Sequence, residues 1–136
     1  MTKTFNLLIF CFFIGSFLSN AQSLTQTKEE LTQLLCKRWD INYAKIGEMK
    51  IEQMPGASDF DILFDKDGTY EIINADGEAN KGKWTYYPKK QFVQMEINDR
   101  QTLRVIDISE NKLICTSTPG TDGPPMNTEI HFKLIN

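Results

Sequence analysis

A hairpin pattern in the middle of the chain constrains the fold more than any other stretch. Phe60-Asp-Ile-Leu-Phe64 and Thr69-Tyr-Glu-Ile-Ile73 are β-rich runs with Asp67-Gly68 between them. An Asp-Gly pair in that setting marks a tight primed turn, whose positive φ a glycine adopts without a Cβ clash. After a second polar turn comes Gly82-Lys-Trp84-Thr-Tyr86. Residues 60–87 therefore read as a three-stranded antiparallel meander with aromatic side chains at every second position. A meander with bare edges invites pairing with other chains, so the remaining residues must close or cover it.

They supply the strands to do so. Trp39, Ile41 and Tyr43 alternate with Arg38, Asp40 and Asn42. Further strands are predicted at 91–97, with Val93, Met95 and Ile97 on one face, and at 101–108. In the latter, Leu103 and Val105 share a face while Ile106 and Ile108 do not alternate cleanly, which implies a bulge near Asp107. The last two strands are 113–118 and 128–135, where Ile130, Phe132 and Leu134 alternate with Glu129, His131 and Lys133. Upstream, Thr27-Lys-Glu-Glu30 is a capping-box pattern that opens a short helix over about 27–36. Its apolar face of Leu31, Leu34 and Leu35 needs a surface to dock on, because an isolated helix this short is marginal. The predicted fold is all-β: an eight-stranded antiparallel up-and-down β-barrel with one short N-terminal helix plugging one end.

Loop lengths distinguish the two ends of such a barrel. The long loops at 47–58 and 118–126 fall on one end, and the tight turns at 67–68, 88–90 and 109–112 on the other, where the helix also arrives. The loose end is the expected mouth, since binding residues are often carried on loops held by a rigid scaffold. Trp39, Phe64, Tyr70 and Phe132 are expected to pack the plugged end. The inward residues expected to line the mouth half are Tyr43, Phe60, Ile72, Asn74, Trp84, Met95, Ile97, Leu103, Ser117 and Ile130, with Trp84 about halfway down. Asn74 and Ser117 are the polar members of that set, and a buried polar group left unpaired is costly. Ile51 and Met54 lie on the long loop as a lid would.

The N-terminus reads as a secretory signal peptide: Lys3, an apolar run from Leu7 to Leu18, then small residues Ser19-Asn20-Ala21 before Gln22. The apolar run is well short of the ~20 residues needed to span a bilayer. The expected organisation is residues 1–21 as signal peptide and 22–136 as one domain, exported to the periplasm or outside, with no transmembrane segment in the mature chain. The full chain carries a net charge of −3, and losing Lys3 makes the mature part more acidic still. An acidic balance argues against nucleic acid and anionic membrane as partners. Cys36 and Cys115 remain in a compartment that permits a disulfide. A barrel places one at the plugged end and the other up a strand across an intervening strand, which favours two thiols over a bridge.

The residue types that carry chemistry are sparse. Asp59, Asp61, Asp65 and Asp67 straddle a strand and a hairpin rather than one calcium loop. His131 is the sole histidine and is expected outward on its strand, a surface residue. No nucleophile–base pair, metal-ligand spacing or phosphate loop stands out, so no cofactor and no enzymatic activity are expected.

As a set, Leu34-Leu35 with Trp39, Phe64-x-x-Asp67-Gly68-x-Tyr70, Gly82-x-Trp84, Leu113 and Phe132 resemble the lipocalin-like domains of secreted bacterial proteins, within the calycin barrels. The resemblance spans nearly all of the mature chain. It departs from the family pattern at Lys37, where a Gly commonly precedes the Trp by two, at the Ser109-Glu-Asn-Lys112 turn, and in strand 128–135, which lacks a late Arg. It implies a barrel interior that binds a small hydrophobic or amphipathic ligand. The alternative is a non-catalytic interaction or structural module with a filled barrel that acts through its long loops.

Overall fold

The protein is described by a computed structural model over residues 24–52, 60–120 and 128–135. Met54, Asp59 and the N-terminal segment 1–21 lie outside the described residues. The helix α1 (Lys28–Leu35) starts as its sequence dictates. Thr27 Oγ1 accepts the Glu30 amide at 3.2 Å, and the Glu30 carboxylate accepts the Thr27 amide at 3.0 Å. Leu31 and Leu35 are fully buried, whereas Leu34, expected beside them, is only half-buried. Beyond the helix, the Trp39 indole N–H donates to the Leu35 carbonyl at 3.0 Å, supplying one of the partners a helix C-terminus lacks.

The strands are β1 (Arg38–Ile46), β2 (Met49–Ile51), β3 (Phe60–Phe64), β4 (Thr69–Asn74), β5 (Ala79–Tyr87), β6 (Phe92–Ile97), β7 (Arg100–Ile108), β8 (Lys112–Ser117) and β9 (Thr128–Leu134). From β3 to β9 each strand pairs antiparallel with the next, and β1 pairs with both β3 and β9. Eight strands thus close into the up-and-down barrel, in which β1 and β9 pair with each other instead of standing as edges. The ninth strand, β2, falls in the stretch expected to be loop. After Asp40↔Asp61, β1 leaves β3, and its free flank is taken by β2 with Ile46↔Met49 and Ala44↔Ile51. Gly47, at φ +60°, makes that reversal.

The β3–β4 turn differs from the primed geometry its sequence suggested. Gly68 does hold φ +90°, but the Gly68 amide bonds to the Asp65 carbonyl at 3.2 Å and the Asp65 amide to the Thr69 carbonyl at 2.8 Å. This is a three-residue loop, a type I turn followed by a left-handed glycine. Asp67 stabilises it by accepting the Thr69 hydroxyl at 2.6 Å and the Thr69 amide at 3.0 Å. Those bonds hold its carboxyl below the usual carboxylate range. The primed pair is instead Asn98-Asp99 between β6 and β7, at φ +53° and +63°.

Three irregularities reset strand alternation, one of them where β6 and β7 change register between Gln94 and Glu96. In β7 the register shifts between Val105 and Asp107, as the pattern implied, and Ile108 joins the core at 3% exposure. In β1 it shifts between Ile41 and Tyr43. The closed end is packed by Leu24, Leu31, Leu35, Trp39, Phe64 and Tyr86. Opposite the Tyr70 ring is Gly82, where a Cβ would collide with that ring and with the Glu96 carbonyl.

Two substitutions test this packing. Leu35→Asp buries an unpaired charge in the plug and should destabilise by about 4 kcal/mol, read as a lower urea midpoint, while Leu34→Asp costs clearly less. Equal effects would mean that the helix docks through a different face. Gly82→Ala should cost about 2 kcal/mol by overpacking against Tyr70, and an unchanged melting temperature would contradict that contact.

Candidate functional site

The large apolar residues of the two halves differ in burial, although Leu134, opposite Trp39, is also only half-buried. Trp39, Phe64, Tyr70 and Phe132 in the closed half are 0–2% exposed. Phe60, Ile72, Ile97, Leu103 and Ile130, on the mouth-side portions of their strands, pack against the same core yet stay only half-buried. Inward-facing apolar groups that remain partly accessible define the candidate site. The register adds Asn74 opposite Phe60, and Ser117 opposite Leu103. Asn74 is half-buried and Ser117 is 5% exposed. Ile51 joins the inner face through its pairing with Ala44, which is itself opposite Ile130.

Trp84 and Met95 face inward but lie deeper than expected. Met95 is fully buried and Trp84 is 4% exposed. The Trp84 indole N–H donates to the Asp65 carbonyl at 2.9 Å, and its amide to the Gly68 carbonyl at 2.9 Å, so it is fastened to a closed-end turn rather than halfway down. Two phenols are held likewise. Tyr70 Oη donates to the Glu96 carbonyl at 3.2 Å, and Tyr86 Oη to the Gln26 carbonyl at 2.6 Å.

Tyr43 is not part of the inner face. The extra residue at Asn42 turns it outward, where its ring stacks on His131 with centroids 4.3 Å apart, and Lys50 of β2 covers its other side at 4.4 Å. His131 points outward as expected but is not a surface residue. It is 7% exposed, lies under Tyr43, and its Nε2 is 3.0 Å from Glu129 Oε1.

The acidic side chains have structural partners. Arg38 binds Asp61 at 2.8 Å, and Lys112 lies 3.8 Å from Asp107. Asp40, opposite Asp61 across β1–β3, has its carboxyl pushed up, first by burial and then by the Asp61 charge. Within the barrel, burial pushes up the Cys115 thiol and the Tyr70 phenol, keeping both protonated. Cys36 and Cys115 are free thiols.

Two polar positions were missed from sequence. Gln94 faces outward yet is 2% exposed, because Arg104 donates to its Oε1 at 2.9 Å while stacking over Phe92 at 4.1 Å. Thr128 begins β9 in phase with Ile130 and Phe132, which gives it the inner face. Extending the alternation back from Ile130 would have found it.

No family model and no curated protein sequence matches the chain. Among solved structures, it is similar to a lipocalin-like protein from Bacteroides uniformis ATCC 8492, with a TM-score of 0.51 and 15% identity over 74% of this chain and 98% of that one. Likeness at that identity is a likeness of fold, and with the closed eight-stranded barrel it gives this chain a lipocalin-like fold. Among the described residues, no helix is long and apolar enough to cross a membrane.

Because both indoles are buried and bonded to backbone carbonyls, tryptophan emission should be blue-shifted and resist acrylamide. Trp39→Phe and Trp84→Phe variants should each retain that protection. A readily quenched indole in either one would place the other tryptophan nearer solvent than its bonds to the closed end allow.

Proposed function

We propose that this protein is an exported, non-catalytic binding protein that holds a small hydrophobic or amphipathic ligand in the mouth half of its barrel. The observation that carries the reading is the difference in burial between the two halves. Five large apolar side chains face inward and stay half-buried, beside a closed half in which Trp39 and Tyr70 are fully buried. Inward-facing apolar area left partly accessible is what a lipid-like molecule would cover on binding. Asn74 and Ser117 add polar groups with which to orient it.

A binding role rather than catalysis is supported by where the ionisable groups lie. Two that face the core, Cys115 and Tyr70, are held protonated by burial, while His131, Asp61 and Asp107 face outward with local partners. Export is supported by the Lys3, Leu7–Leu18 and Ser19-Asn20-Ala21 pattern. The docking of Leu24, whose amide bonds to the Gln91 carbonyl at 3.2 Å, fits a mature chain that begins at Gln22.

A second reading has one observation in its favour. At the β1–β2 hairpin, Ile46 is 39% and Met49 65% exposed, an apolar tip that could contact another protein.

Titration with the neutral fluorescent probe N-phenylnaphthylamine separates the two. Saturable enhancement in the micromolar range is expected, and Leu103→Trp, which fills the mouth, should reduce the affinity at least about tenfold, roughly 1.4 kcal/mol. Absence of saturable binding, or a Leu103→Trp variant that binds like the parent, would reject the interior site and favour contact through the hairpin.

A further inference from the structure

We infer that Thr128 is the hydrogen-bonding anchor of the interior site and that the ligand it fits is a neutral amphiphile, whose polar end is an uncharged oxygen such as an alcohol or ketone. The inference rests on the proposed ligand-binding reading and deepens it. Among the described residues, Thr128 Oγ1 is a buried side-chain oxygen that makes no hydrogen bond, in a residue only 5% exposed. Leaving such a hydroxyl unpaired costs free energy, and native interiors rarely do so without a reason.

Strand register puts Thr128 on the inner face, at the mouth end of β9. Thr128 shares the inner face with Ile130 and Phe132, is paired with Ile46 on β1, and lies beside Ser117 on β8, since Thr116 pairs with Glu129. The mouth-half residues Ile130 and Leu103 continue from it as apolar surface that would take the rest of the molecule.

Charge decides the class of polar group. The register neighbours of Thr128 on both sides, Ile46 and Ser117, are uncharged. An ionised carboxylate placed there would be desolvated without a compensating cation, whereas an uncharged oxygen needs only the hydrogen bond that Thr128 can give or accept. A cation does share the inner face by register: Arg100, opposite Ile97. It is exposed at the rim, on β7 rather than beside β9. A fatty-acid-like ligand would use Arg100, and a neutral one would use Thr128.

Thr128→Val replaces the hydroxyl by a methyl group of the same shape and tests the assignment in the full mature protein. Direct binding of N-phenylnaphthylamine reports the site itself, and its displacement reports the polar anchor. Dodecanol should displace the probe from the parent protein at about tenfold lower concentration than from Thr128→Val, the loss expected for one buried hydrogen bond. Probe affinity itself should change less than about twofold, since the probe's apolar contacts remain. At pH 8, dodecanoate should be about tenfold weaker than dodecanol on the parent. The ligand-free variant should melt at the same or a higher temperature, because no hydrogen bond is removed. Equal displacement by dodecanol from both proteins, or a lower melting temperature for Thr128→Val, overturns the assignment while leaving the interior site standing. Dodecanoate that binds as tightly as dodecanol, and loses affinity in Arg100→Gln, overturns the neutral-ligand class in favour of the rim cation. Failure of the probe to bind at all removes the interior site and this inference with it.

Discussion

Everything in this fold depends on β1 serving two neighbours. The sheet closes only because β1 pairs with β9 over nearly its whole length while also pairing with β3 at Arg38–Asp40. A bulge bends the strand that carries it, and β1 has one at Asn42. Beyond the bulge β1 runs with β9 and leaves β3, and β2 fills the flank it vacates. The position of Tyr43, the extra strand and the shape of the mouth next to β3 follow from that one irregularity.

The two ends of the barrel are built on different principles. At the closed end, large aromatic residues combine apolar burial with one directed hydrogen bond to a backbone carbonyl: Trp39 to Leu35, Trp84 to Asp65 and Tyr86 to Gln26. Each bond satisfies the polar atom of a ring that is otherwise surrounded by apolar side chains, so bulk is buried without a desolvation penalty. The same bonds tie the helix and two closed-end segments to the barrel wall. Toward the mouth the inner face carries Phe60, aliphatic residues and short polar ones such as Asn74, Ser117 and Thr128.

Most of the barrel was legible in local pattern, because strand alternation, Asp-Gly turns and a capping box are properties of a few adjacent residues. The β7 bulge could be read from Ile106 and Ile108 breaking the alternation set by Leu103 and Val105. The β1 bulge could not, because Trp39, Ile41 and Tyr43 keep a perfect period of two, and only the later apolar pair Ala44 and Ile46 is out of phase. Tyr43 was therefore placed inside. β2 was hidden for a different reason: three residues have no period of their own, and they form a strand only because β1 offers an unpaired flank. The depth of Trp84 and the covering of His131 depend on which side chains meet across strands far apart in sequence, which no local window contains.

The ladder that makes the barrel also governs how the chain can reach it. Most rungs join strands adjacent in sequence, and β3–β4 and β4–β5 are linked by loops that carry their own hydrogen bonds, Asp67 to Thr69 and Asp76 to Glu78. The β1–β9 rungs join the two ends of the chain, Trp39 to Leu134 and Ile46 to Thr128. Closing a loop that long carries the largest entropic cost in the structure, and contacts of such separation are what slow a domain's folding. The meander is thus kinetically cheap and its closure expensive, and until β9 arrives β1 is an edge strand with exposed pairing groups. The interval between meander and closure is when this chain is most open to pairing with a copy of itself.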